Sequence, residues 1–421
     1  MYNLNHPLRA PGTIYRAYGG PPGANLQKLI DRMGGIQQYI GLEDVVIVKP
    51  NTQWWNQGAA NLAALAALVD FIMNRTGGFK GEVVLADNCH RGAEPWLSEN
   101  AAWSRRFVRN SDVAQVDNMN DLSRRLKEKY GPQFTVCHWL DVCYGSRRVS
   151  NPAEGNGYVY CDGSMGTTLI SCDNDVEGEQ LRSTIMTYPI FKTDQETMVD
   201  FKNGVWERDS FTGQPLKWVN FAALNHHSTY CGATSSVKNL FGVVDLSGGP
   251  DPRDDGILTG DYFNFHAFAF NKWQKGPAPG AMGKAVGVFM SSIRKPDLNI
   301  TSAEWVGLSS RTEPPVVQTR AVLVSEDPVA LDYHAFKYLL YPNSKLSIHN
   351  PDDMTSPVYY DLVKCAEISG GILDEKIITV ESYCYRDGAW HKGPEGPLKA
   401  KKIWGTSGKN ILKYAYLRML H

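Results

Sequence analysis

Hydrophobic and polar positions in the first half of the chain follow two recurring patterns. The stretches "DVVIVKPN" (44–51) and "GEVVLADN" (81–88) are short, unbroken apolar runs, as expected of strands buried on both faces. Between them, "NLAALAALVDFIMNRTGG" (61–78) is a longer apolar run with a glycine stop, which reads as a helix. Ahead of both, "ANLQKLIDRMGGIQQYI" (24–40) reads as a helix broken at Gly34-Gly35. Strand, helix, strand in this order predicts a parallel sheet with crossover helices. A further amphipathic helix (121–131) and a strand, "QFTVCHWL" (133–140), continue the rhythm.

From about 145 to 215 the pattern changes to short β runs separated by Gly, Asp and Asn turns, among them "NGYVYC", "STIMTYPIF" and "TMVDFKNGVW". This predicts an antiparallel β insertion, with Asn203-Gly204 suited to a type I′ hairpin turn. The α/β rhythm then returns. "LKWVNFAALNHH" (216–227) reads as a strand and "SSVKNLFGVV" (235–244) as a helix that Thr234 or Ser235 can cap. Beyond a loop rich in Gly, Pro and Asp (246–261), "TRAVLVSEDPVALDYHAFKYLLYP" gives a strand, an Asp327 N-cap, Pro328 at the first helical position, and a helix. The expected fold class is α/β: a mainly parallel sheet with crossover helices plus an antiparallel β insertion at about 145–215. The chain reads as one unit over 1–421, with lobes at 1–255 and 256–421 as a subdivision.

Composition narrows the function. The 421 residues carry 43 Lys and Arg against 44 Asp and Glu, so no broad basic field is available for nucleic acid or an anionic membrane. No apolar run is long enough to span a bilayer, and the first twenty residues lack the layout of a signal peptide. A soluble protein is expected, either cytoplasmic or exported with its signal removed; a homo-oligomer stays open. With 39 Gly, 23 Pro and 46 aromatic residues, long structured loops with aromatic walls suit a small-molecule ligand. The eight cysteines show neither C-x-x-C spacing nor a ferredoxin-like run, so there is no iron–sulfur motif. Cys137 and Cys143 could close a small loop, but buried thiols are the expectation for the set.

Ligands of open α/β sheets bind beyond the carboxyl ends of the strands, and three polar clusters fall there. In "NHHSTYCGATSSVKNLFG" (225–242), His226, His227 and Lys238 are the catalytic candidates, for proton transfer and for holding an anion or cofactor. Neighbouring residues of an extended chain point to opposite sides, so His226 and His227 should not share one ligand. Cys231 reads as a packed thiol, Gly232 as a turn residue, and the Ser235-x-x-Lys238 spacing as accidental. "VKPNTQWWNQG" offers Lys49, Asn51, Gln53, Trp54 and Trp55 for substrate binding. "ADNCHRG" adds Asp87 and His90 as an acid–base or metal pair, and Arg91 as a clamp for a carboxylate. A metal ion or bound organic cofactor is compatible with these donors. Asp251, Asp254 and Asp255 read as a solvated turn, and His266 as a core histidine.

Four stretches in conserved order, "VVIVKPN", "NHHSTYCGATSSVKNLFG", "KPDLNITSAEW" and "VLVSEDPVALDYHAFKYL", resemble the uncharacterised prokaryotic family labelled "domain of unknown function 362". The resemblance implies an α/β fold and no assigned chemistry. A looser likeness is to nickel-pincer lactate racemases, which place a strand-end histidine about ten residues before a lysine that anchors a nucleotide-derived cofactor. His227 and Lys238 have similar spacing ahead of Gly242, although Ser236-Val237 stands where the racemases have Gly-Pro. Their Asp-x-Thr-Arg element has only Asp87 to Arg91, out of register, as a counterpart. The expectation is an enzyme acting on a small polar or carboxylated molecule. The alternatives are a non-catalytic ligand-binding protein, exported or not, and a racemase-like enzyme with a lysine-anchored cofactor.

Overall fold

The computed structural model describes residues 12–88, 101–139, 147–178, 181–246, 256–269 and 278–421. His90, Arg91, Cys89, Cys143 and the Asp251–Asp255 turn lie outside them. The fold is α/β, as the hydrophobic pattern predicts, and is built on one ten-stranded sheet. Its strands are β1 (Thr13–Tyr18), β2 (Val45–Pro50), β3 (Glu82–Asp87), β4 (Phe134–His138), β5 (Leu216–Ala223), β6 (Leu298–Gly307), β7 (Val316–Ser325), β8 (Thr379–Arg386), β9 (Ala389–Lys392) and β10 (Lys402–Ile403). They lie in the order β9-β8-β1-β7-β6-β5-β2-β3-β4, with β10 paired to β7. Strands β6, β5, β2, β3 and β4 are mutually parallel, whereas β7 runs antiparallel to β1, β6 and β10. Every residue of β2 and β3 is buried, which accounts for their unbroken apolar runs.

Side-chain caps start two of the helices that lie against the sheet. Asn61 accepts a hydrogen bond from the Ala64 amide at the start of Leu62–Met73, and Asp327 accepts from Val329 and Ala330 at the start of Pro328–Ala335. Two expectations need correcting. In the hairpin at 198–207, Asp200 pairs with Gly204, so three residues make the turn rather than the Asn203-Gly204 pair. There the Asp200 carboxylate accepts the Lys202 and Asn203 amides, which stabilises the longer loop. The helix expected from 235 is only Ser236–Asn239, followed by a 3-10 turn at Leu240–Gly242. No side-chain cap comes from Ser235; Asp332, from the helix Pro328–Ala335, accepts the Ser236 and Val237 amides instead.

The β insertion forms a five-stranded antiparallel sheet and contributes to a four-stranded one. Phe201 fastens it to the main body. Its ring meets Trp218 of β5 edge to face at 5.0 Å, Trp139 at 5.7 Å and Phe289 at 6.2 Å, with no solvent exposure. Phe201→Ala is expected to cost about 3–5 kcal/mol, as for other fully buried aromatics. Urea denaturation should show that loss within a single transition shared by the insertion and the main sheet.

Candidate functional site

At the carboxyl end of β2, Lys49 is buried and pairs with Asp87 of β3 at 2.9 Å. Its ammonium also donates to Asn239 Oδ1 at 2.8 Å, and Thr52 Oγ1 donates to the other Asp87 oxygen. Asn239 in turn donates to the Lys49 carbonyl and to Asn220 Oδ1, and Asn220 donates to Asn299 Oδ1 at 3.0 Å. Lys49, Asn220 and Asn299 are cross-strand neighbours on β2, β5 and β6, so one polar row crosses the sheet. Burial pushes the lysine pKa down and the carboxyl pKa up, while their mutual attraction opposes both shifts. Gly242 closes over the pair: a Cβ there would overlap both Asp87 Oδ1 and Lys49 Nζ.

Beside this pair, Asn225–His226 and Ala233–Thr234 form a two-stranded ribbon. Its loop folds back tightly through Gly232, which has φ +66° and sits against the Ile348 carbonyl. The two histidines diverge, as strand alternation requires. His226 turns away from the cleft, and its Nδ1 meets His349 Nε2 at 3.0 Å; His349 Nδ1 meets Ser344 Oγ at 2.7 Å. His227 faces the cleft with Lys49, Asn51, Gln53, Trp54, Asp87 and Lys238. Trp55 is absent from this wall and lies under the Arg105 guanidinium at 4.3 Å. Asp87 is committed to Lys49 and Thr52, and the described residues contain no group of three or more His, Cys, Asp or Glu able to hold a metal.

His227 has partners on both ring nitrogens. Nε2 meets Arg311 Nη1 at 3.2 Å, and Nδ1 meets Cys231 Sγ at 2.9 Å and Ser228 Oγ at 3.2 Å. A guanidinium only donates, so Nε2 must accept, and the proton of the neutral ring belongs on Nδ1, facing sulfur. Burial, then the charges of Lys238 and Arg311, hold the imidazole well below its ordinary pKa and keep it neutral. Arg311 also lies over the Trp54 ring at 4.2 Å.

Lys238 is 8% exposed, and its ammonium sits 4.5 Å from the centre of the Phe241 ring. It makes no hydrogen bond or ion pair with any described residue; burial and then the Arg311 charge lower its pKa. Among the described residues, three further buried polar atoms on the same wall lack a hydrogen-bond partner: Trp54 Nε1, Asn88 Oδ1 and Asn225 Oδ1. Two adjoining cavities of about 40 and 60 Å³ share His227, Lys238, Phe241 and His266. The second also reaches Cys231 and Asp361, whose carboxyl burial pushes up to about 7.

Sequence reasoning missed Arg311, Asn239, Thr52 and Asp361, and assigned His266 and Cys231 to plain packing. Arg311 lies more than 80 residues from His227 in a loop after β6, with no local pattern to mark it. The strand-end rule could have found Thr52, next to Asn51.

Lys49→Met leaves the Asp87 carboxylate buried without its counter-charge and is expected to cost about 3–5 kcal/mol; Asp87→Leu added to it should recover much of that loss in urea denaturation. The buried neutral histidines give a pH signature. Burial lowers His349 to about 3 and His138 to about 4, so below pH 6.5 the unfolded chain takes up protons first. Stability is therefore present above about pH 6.5 and is lost as pH falls toward those values. The loss should reach at least about 1.4 kcal/mol per pH unit low in the window, and His349→Gln should flatten it. In comparisons with known proteins, no family model matches the chain, nor does any curated protein or any solved structure.

Proposed function

We propose that this cleft binds a small polar organic molecule through a carboxylate and acts on it as an enzyme. The observation that carries the reading is Lys238, a buried cation without an ion pair or hydrogen bond to any described residue. An uncompensated buried charge is costly, and an anionic ligand group removes that cost. Arg311, stacked on Trp54, flanks the same space through His227, and Trp54 Nε1 and Asn225 Oδ1 offer a donor and an acceptor for polar substituents. A neutral His227 beside the ligand supplies proton transfer, which favours an enzyme over a binding protein. In this reading Lys49 and Asp87 shape and polarise the floor, and His226 is a structural residue. The four stretches quoted above likewise support, as a proposal, a place with the domain-362 family.

The racemase likeness would put a nucleotide-derived cofactor on Lys238. Cavities of about 40 and 60 Å³ have room for a few waters or a small acid, since each water needs about 10–15 Å³ of such space. These volumes favour a small acid over a nucleotide.

A panel of small carboxylates, including acetate, lactate, pyruvate and glyoxylate, should raise the melting temperature, and Lys238→Met should abolish that rise. At 100 times Kd the stabilisation should be about 2.7 kcal/mol. Turnover of any stabilising acid, followed by NMR, separates the enzyme from a binding protein. A panel that leaves the wild-type melting temperature unchanged overturns the reading. The ligand-free protein carries a second sign. Because the folded pKa of Lys238 is lowered, the unfolded chain binds more protons in the window below its own lysine pKa, near 10.4. Stability should therefore rise with pH up to that value in wild type, and Lys238→Met should be the more stable form at neutral pH.

A further inference from the structure

The loop that turns the ribbon places Cys231 beside His227, with its sulfur on the wall of the second cavity. The Gly232 amide closes the loop onto the Ser228 carbonyl at 2.9 Å, and the His227 amide donates to the Gly232 carbonyl at 2.9 Å. This fold-back brings Sγ to 2.9 Å from His227 Nδ1 and 3.4 Å from Ser228 Oγ. With Nε2 taken by Arg311, both neighbours can point hydrogens at sulfur. Lys238, buried and without an ion pair or hydrogen bond to any described residue, lines the same cavity, and its charge and that of Arg311 both favour a thiolate. Burial works in the other direction and keeps the resting thiol protonated. A packed thiol would touch apolar atoms only; this one meets two hydrogen-bond donors and shares its cavity with a buried cation.

We propose that Cys231 is the nucleophile of the cleft, attacking an electrophilic carbonyl carbon in a small carboxylated substrate such as an aldehyde acid or 2-oxo acid. The proposal rests on the anion-binding reading of Lys238. Lys238 stays an ammonium and holds the substrate carboxylate, while Ser228 Oγ, 3.4 Å from the sulfur, takes the thiol proton and passes on its own hydroxyl proton. Sulfur forms a bond to the carbonyl carbon, the C=O π pair moves to oxygen, and that oxygen receives the proton relayed from the thiol. The product is a thiohemiacetal or thiohemiketal, with no change in oxidation level and no co-reactant. His227 Nδ1–H steadies the thiolate, and Ser228 supports it.

The test is the alkylation of native protein by iodoacetate and iodoacetamide, quantified at each cysteine by peptide mass mapping. In wild type, Cys231 should prefer iodoacetate over iodoacetamide by about tenfold or more relative to glutathione, because the cleft concentrates an anion. Lys238→Met should erase that preference and Lys238→Arg should keep it. Glyoxylate should protect Cys231 reversibly, and acetate at equal concentration should protect less. Cys231→Ser identifies the labelled peptide. The proposal is overturned if Cys231 labels only in unfolded protein, if its preference equals that of glutathione, or if Lys238→Met leaves it unchanged. If carboxylates still raise the melting temperature through Lys238 in any of these cases, the binding reading stands and the nucleophile alone has failed.

Discussion

The site depends on an ammonium group buried at the end of a parallel strand. Taking Lys49 out of water costs several kcal/mol, and only close, well-aligned partners repay it. Asp87 supplies the opposite charge at 2.9 Å and Asn239 supplies an acceptor at 2.8 Å. Each is fixed from elsewhere: Asp87 by Thr52, and Asn239 by Asn220, whose amide reaches both Asn299 and the Ser236 carbonyl. One charge thus ties together four strands and the short helix Ser236–Asn239. That helix carries Lys238 and is anchored at its start by Asp332. The position of the second lysine follows from the burial of the first.

The two lysines therefore contrast. Lys49 is satisfied within the protein and belongs to the scaffold. Lys238, a short distance along the same cleft, is equally out of water and has an aromatic face as its nearest company. Proteins keep such a charge where something else supplies the counter-ion. The neutral His227, shielded by burial and by two cations, completes a pocket that is electropositive yet holds a base.

Much of this was legible in the chain. Unbroken apolar runs located the buried strands, because a strand covered on both faces has no polar side to show. The strand-end rule picked out Lys49, Asn51, Gln53, Trp54, Asp87, His227 and Lys238, which the fold does bring to one cleft. Alternation also separated His226 from His227. What could not be read were partners fixed only by tertiary packing. Arg311 reaches His227 across 84 positions, and Asp332 caps a helix whose own Ser235 is turned to Thr301. The polar neighbours of Cys231 could not be read either, because they come from a loop closure and the sequence shows only a glycine next to it. The hairpin at Asn203-Gly204 misled for a similar reason: the Asp200 carboxylate selects a turn that residue preferences alone do not favour.

Gly242 shows how far the demands of the buried charge extend. Its missing side chain is the space into which the Lys49–Asp87 pair fits. No other amino acid can occupy that position without displacing one of the two charges. Selection on the site must therefore act on an atom that is absent. Among relatives of this chain, position 242 would vary only together with 49 and 87, so drift at a residue with no chemistry of its own would mark loss or replacement of the charged pair.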